Sequence, residues 1–294
     1  MYKPKDITIG ITTRFGTPSV IKTVESIRNC QYGSKVKIII INGGGKYLSK
    51  DQKILDKLNA KVFNQKDQGT ISQKVEKIIK FTKTSILAIT QDDILMSKNI
   101  IIDITSAFNS STKNSMIMPE AKFLDPINSF QKAIKVGREI ADTVIHEWNK
   151  GDNFISMNGR FMAFQTNYIK KFRLPENIVS FDTFMYLENK RLNGNVVRIN
   201  TSYIELKSPV NFKDHAKQSA RYMNTKNEIL GLFPELSPKY FQIPKNILIY
   251  STIIHALSNP VYFVIYSYIK IMTIINYEHY QSSPIWDIDI TTKL

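Results

Sequence analysis

Residues 85–97 read SILAITQDDILMS. An apolar run brings the chain to two adjacent carboxylates, Asp92 and Asp93, and a second apolar group follows at once. Like charges in contact repel, and burial makes each carboxylate harder to ionise. Two readings meet this conflict: an exposed turn in which Asp92 caps a following helix, or a cation that holds the pair. The run itself, residues 85–90, is short and bounded, and reads as a buried strand.

The segments before it set that strand in a pattern. Residues 7–11 form a β-branched run, and Pro18 opens helical spacing through Ile21, Val24, Ile27 and Arg28. KVKIIIING (residues 35–43) is apolar enough to be a strand buried on both faces. Residues 52–58 read as a helix, 61–64 as a short strand and 72–81 as a helix with Val75, Ile78 and Ile79 on one side. Strand alternating with helix predicts an α/β fold with a mainly parallel sheet. Ligands gather at the carboxyl ends of such strands. The loops at 12–17, 42–46, 65–72 and 91–93 are therefore the ones expected to carry function, which favours the cation reading of the aspartates.

Beyond them, residues 130–148 show amphipathic helical spacing, FISMNGRFMAFQ carries strand-like residues around Gly159, residues 182–192 read as a helix ended by Gly194, and 195–199 as a strand. At 294 residues the chain is long enough for a sizeable core. Its 43% hydrophobic and 22% charged content is ordinary for a globular protein. A single cysteine, Cys30, excludes an internal disulfide framework and leaves the redox compartment open, with a reducing one slightly favoured. The formal charge of +15 is not ordinary. It favours a polyanionic partner such as nucleic acid, a phosphorylated ligand or an anionic membrane face, or else reflects a Lys-rich habit of composition. The opening MYKPKDITIGITT has no long apolar stretch, so no secretory leader is expected in it.

Residues 246–269 contain no Lys, Arg, Asp or Glu. They are numerous enough to cross a hydrocarbon core of about 30 Å, but Ser251, Thr252, His255, Ser258 and Asn259 dilute them and Pro260 interrupts them. Tyr262, Tyr266 and Tyr268 suit a headgroup zone, and Lys245 and Lys270 flank the segment. Three readings follow: a pair of interfacial amphipathic helices, a spanning segment, or a buried helical hairpin. The membrane is the favoured setting.

Five stretches in order resemble family-2 glycosyltransferases of the GT-A fold. They are ITIGITTRFGTPSVIKTVESIRNC, KVKIIIINGGG, DQGTISQKVEKII, ILAITQDDILM and VSFDTFMYLENKRLNGNVVRI. The resemblance implies a Rossmann-like, mainly parallel sheet flanked by helices over residues 1–225, with a helical, membrane-associating extension over 226–294. It implies a metal-dependent, inverting transfer of a sugar from a nucleotide-sugar to a glycan or lipid-linked acceptor, at the cytoplasmic face of a membrane. Asp93 would bind Mg²⁺ or Mn²⁺, with Asp92 orienting the ion or touching the ribose, and Asp182 would be the general base. A cap for its own helix is the plainer role for Asp182. Thr12, Thr13, Arg14 and Asn42 fall in nucleotide-contacting loops, and Lys74 is placed to reach the diphosphate, although a solvated lysine is the commoner case in so basic a chain. FKDHAKQSARY resembles an element in which Arg221 would face the diphosphate while Gln218 and Tyr222 line the acceptor site; His215 is a candidate third metal ligand. Gly159 would let backbone approach the sugar.

Four positions depart from the family pattern: Gln91 for an acidic residue, Asn42 for a base-contacting aspartate, Phe181 before Asp182, and Tyr222 for tryptophan. They leave a catalytically impaired GT-A-like binding protein as one alternative. A nucleic-acid-binding protein would account for the charge, but no aromatic RNP-like strand, zinc framework or concentrated basic helix accompanies it, so no nucleic acid is expected. A nucleotidyltransferase would need a glycine-rich signature that GITTRFGTPS lacks.

Overall fold

In the computed structural model the described residues are 1–279 apart from 112, 158 and 225, together with 283, 292 and 293. Strand β1 (Ile7–Arg14) lies between β2 (Lys37–Gly43) and β4 (Ile86–Gln91), with β3 (Ala60–Gln65) outside β2, and all these pairings are parallel. The continuous apolar runs have a simple cause. Side chains alternate across a strand, so Ile7, Ile9, Ile11, Ile38, Ile40 and Ile86 enter one core, while Ile39, Ile41, Leu87 and Ile89 enter another on the opposite face. Helix α1 (Ser19–Asn29) covers the first face through Val20, Val24 and Ile27. Helix α2 (Ser49–Lys57) adds Leu55 to that core. Helix α3 (Ile71–Phe81) covers the second through Val75 and Ile78. It begins at Thr70, whose hydroxyl accepts from the Gln73 N–H while the Gln73 side chain accepts from the Thr70 N–H. At Gly10 the helix comes so close that a Cβ would stand 2.2 Å from Ile78 Cγ2.

The remaining strands make the sheet mixed. Among the described residues the order is β3-β2-β1-β4-β7-β6-β8-β5, with β5 (Ile94–Met96), β6 (Asn114–Phe123), β7 (Phe161–Gln165) and β8 (Asn195–Leu206). Strand β7 runs antiparallel to both β4 and β6, β5 runs antiparallel to β8, and β6 and β8 pair in parallel. Parallel pairing thus holds throughout the first four strands, and in the second half it joins β6 to β8 while β5 and β7 pair antiparallel. Helix α4 (Ile100–Ser110) packs Ile100, Ile104 and Phe108 on the first core. Long helix α5 (Ser129–Glu147) and buried helix α7 (Phe181–Arg191) complete the framework around the site, with short α6 (Thr166–Ile169) between β7 and α7.

Helices α8 (Phe212–Asn224), α9 (Lys226–Leu232), α10 (Ser237–Tyr240), α11 (Lys245–Ser258) and α12 (Pro260–Asn276) follow. The region after 225 shares its packing with what precedes it. Ile229 and Phe233 join the core containing Phe184, and Ile269 joins Ala133 and Ile134 of α5. His255 of α11 meets Thr143 of α5 at 2.8 Å. No helix among the described residues is long and apolar enough to cross a membrane, because the chain breaks at Asn259–Pro260 into helices of 14 and 17 residues. The spanning reading of 246–269 is therefore corrected. The buried-hairpin reading fails as well, since Ile249, Ile253, Leu257, Val261, Val264 and Tyr268 are each more than half exposed.

Candidate active site

Strand β4 ends at Gln91, and Asp92 and Asp93 follow at the edge where β1 also ends. Both aspartates are buried and are followed by strand β5, so Asp92 neither lies in a solvated turn nor caps a helix. Cations and hydroxyls hold the pair. Thr13 Oγ1 donates to Asp92 Oδ2 at 2.6 Å. Arg160 Nη1 lies 2.5 Å from each Asp93 oxygen. Lys293 Nζ stands 2.5 Å from Asp92 Oδ1 and 3.5 Å from Asp93 Oδ2. Burial alone would raise the Asp93 carboxyl, but Arg160 and Lys293 outweigh it and hold the group below its ordinary value. Burial would likewise lower Lys293, and the two aspartates raise it instead.

Gln91, one of the departures from the family pattern, braces this arrangement. Its side-chain N–H donates to the Gly159 carbonyl at 2.8 Å, and its carbonyl accepts from Arg160 Nη1 at 2.7 Å. Thr90 Oγ1 adds a 2.6 Å bond to the Arg160 carbonyl. Gly159 has φ +66°, a conformation that favours glycine, and a Cβ there would lie 3.1 Å from Asp182 Oδ2. The dipeptide Gly159–Arg160 therefore links two carboxylate centres, Asp182 on one side and Asp93 on the other.

Asp182 sits in the first turn of α7, after Ser180 at the cap position, so it is not itself the cap. It is buried, and burial raises its carboxyl above the ordinary value against a 2.9 Å bond from the Thr183 N–H. Helix α8 reaches the same place. Asp182 feels the charge of Arg221, and its field raises the Tyr222 hydroxyl to about 12.

On the other flank, Thr12 is buried, its hydroxyl donating to the Thr90 carbonyl of β4, and Arg14 donates to the Gln68 side-chain carbonyl. Lys74 is not the solvated lysine that composition favours. It is buried, its ammonium donates to the Thr13 carbonyl at 3.0 Å, and burial together with Arg14 lowers it to about 8. Asn42 is fully buried, accepting from the Gly16 N–H and donating to Gly45 and Asn64. Its amide ties together the loops after β1 and β2.

A cleft of about 390 Å³ opens beside Asp93 and Arg160, lined by Met157, Thr183, Gln218, Tyr222 and Tyr266 among others. His215 lines it too, but its imidazole lies within hydrogen-bonding reach of Ser219 and edge-on to Phe130. No three His, Cys, Asp or Glu side chains come together as a metal cage among the described residues. His215 is a wall residue of the cleft, kept neutral because burial and Lys270 lower it to about 4.

Residues 4–225 match the family model described as glycosyltransferase like family 2. The chain belongs to this family. Its fold is GT-A, with the strand ends, the aspartate pair and Asp182 gathered at one edge of the sheet. No curated protein matches the sequence. Two residues of this family-2 member went unmarked in the sequence. Arg160 adjoins the glycine that did draw notice, and Lys293 lies 201 positions from Asp92. No local pattern announces either.

Proposed function

We propose that this glycosyltransferase is inverting and moves a sugar from a nucleotide-sugar to an acceptor hydroxyl held in the cleft. The observation that carries the reading is the placement of the buried carboxylate of Asp182 across Gly159–Arg160 from a cationic donor flank. Arg14, Lys74 and Arg160 bring positive charge to the side where a diphosphate would lie, and such groups stabilise a departing phosphate best when fixed in advance. Asp182, raised by burial, is suited to take the proton of the acceptor hydroxyl as its oxygen attacks the anomeric carbon. The bond to the diphosphate oxygen breaks in the same displacement, and the nucleoside diphosphate leaves with the electron pair. Gln218 and Tyr222 would orient the acceptor, and Arg221 would face the diphosphate.

The donor set also suits a hard divalent ion. Two adjacent buried carboxylates are bridged by a stand-in cation, the Lys293 ammonium. Mg²⁺ is commonly held by one or two carboxylates together with substrate phosphates and water. Bound by Asp93 and Asp92, Mg²⁺ or Mn²⁺ would supply further stabilisation of the departing diphosphate. The test is a screen of nucleotide-sugars for Mn²⁺- or Mg²⁺-dependent release of nucleoside diphosphate, comparing the wild type with Asp93→Ala. The reading fails if no donor binds, or if turnover ignores both metal and substitution.

A membrane setting is supported by α11 and α12. Their outer faces expose Ile253, Leu257, Val261 and Val264, while Tyr266 on α12 lines the cleft. One helix therefore joins a surface suited to lipid with the acceptor pocket, which favours a lipid-linked acceptor. The net charge of +15 suits an anionic surface, and each apolar side chain withdrawn from water contributes about 1.5–3 kcal/mol. The double variant Ile253→Glu/Leu257→Glu is expected to bind phosphatidylglycerol vesicles at least about 100-fold more weakly than wild type in co-sedimentation. Equal sedimentation of both proteins, or none of either, would remove the membrane role.

A further inference from the structure

Every oxygen of the aspartate pair already has a protein partner. Thr13 and Lys293 take the two of Asp92, and Arg160 spans the two of Asp93. The partners differ in how they are held. Arg160 is braced by Gln91 and Thr90 at the end of β4. Lys293 comes from the far end of the sequence on a flexible four-carbon stem. It is nonetheless anchored beside the cleft. Thr292 is buried and lines the cleft wall, and Lys207 Nζ donates to the Lys293 carbonyl at 3.5 Å.

The Lys293 ammonium takes Asp92 Oδ1 and Asp93 Oδ2, and a divalent ion held by Asp92 and Asp93 would compete with it for the pair. We propose that Lys293 is a tethered internal cation that occupies the divalent-ion position between Asp92 and Asp93 and gives it up when an ion is taken in. This rests on the metal role proposed for the pair. A tethered group acts at an effective concentration on the order of millimolar or more, so it competes without being consumed. Apparent ion affinity is the intrinsic affinity multiplied by the fraction of molecules in which the ammonium is away. The residue thus sets how much free ion the site requires, and together with Arg160 it balances the two buried carboxylates when no ion is bound.

Mn²⁺ titration of the full chain, read by the paramagnetic resonance signal of free Mn²⁺ and with no nucleotide-sugar present, tests this directly. Lys293→Met is expected to bind Mn²⁺ about tenfold or more tightly than wild type. Lys293→Arg, which keeps the charge, is expected to stay close to wild type. The gain is expected to vanish in Lys293→Met/Asp93→Asn. Lys293→Gln provides a polar substitute should the methionine variant fold poorly by circular dichroism. Unchanged Mn²⁺ affinity in the Met and Gln variants, absence of binding in all of them, or a gain that survives Asp93→Asn would each overturn the proposal. The measurement needs no turnover. A gain in a protein that uses no donor would leave this inference standing and sink the transferase reading. No gain in a protein that does transfer sugar would sink this inference alone.

Discussion

Replacing Asp182 by Asn is expected to lower turnover by about 10²–10⁴-fold while leaving nucleotide-sugar affinity unchanged. The amide keeps the shape beside Gly159 and cannot accept the acceptor proton. Stability is expected to move the other way. Burial holds the Asp182 carboxyl above its ordinary value. A carboxyl raised in the folded state contributes stability that is fully present below its unfolded pKa and is lost as pH rises through the folded one. Asn removes that loss, so the variant is expected to melt at the wild-type temperature or above it at neutral pH. Melting curves at about pH 5 and about pH 7.5, beside single-turnover rates, check both halves. A variant that is both fully active and equally pH-dependent would remove Asp182 from the chemistry. The wild-type rate is expected to rise with pH along an acid limb displaced upward from that of an ordinary carboxylate, and the Asn variant to lack that limb.

Asp93→Ala is expected to be costly in a different manner. It leaves Arg160 and Lys293 beside the site with half of their compensating charge gone. Removing one partner of a buried ion pair typically costs about 3–5 kcal/mol. The linkage has the opposite sign from Asp182. Burial pushes the Asp93 carboxyl up, but Arg160 and Lys293 prevail and hold it below the ordinary 3.8. Its contribution is therefore present above the unfolded value and is lost as pH falls through the folded one. Urea unfolding is expected to show Asp93→Ala destabilised at neutral pH, with a flatter decline in acid than the wild type. Adding Arg160→Met removes the stranded guanidinium and is expected to recover much of the stability without recovering turnover. Additive losses in the double variant would show that the two residues do not act as a pair.

Much of this site was legible in the residues because its parts are local. The run KIIIING reads as a strand buried on both faces and does divide its isoleucines between two cores, while the run at 7–11 reads as a strand and sends Ile7, Ile9 and Ile11 into one of them. The aspartate pair could be placed at a strand end from the run that precedes it. Other parts were not legible. In the segment from Ile94 to Phe123 the β-branched residues suit strand and helix alike, so β5, α4 and β6 were not marked out, and α4 declares itself only through the burial of Ile100, Ile104 and Phe108. Gln91 looked like a defect in a metal motif. In the fold it bridges Gly159 and Arg160, a role that depends on a bend 68 residues away, just before β7.

The sequence by itself determined the alternating α/β pattern, the family, and the delivery of Asp92, Asp93 and Asp182 to chain positions suited to chemistry. Those signals are periodicity and order, which survive without knowledge of contacts. Only the tertiary structure decided what neutralises the carboxylates, that Lys74 is buried and His215 lines the cleft, and that residues 246–269 form two short helices with an exposed apolar face. The physical reason is range. A charge is met by whatever cation the fold brings within a few ångströms, and in a chain with 40 Lys and Arg residues nothing local singles out Arg160 and Lys293 as the two that arrive.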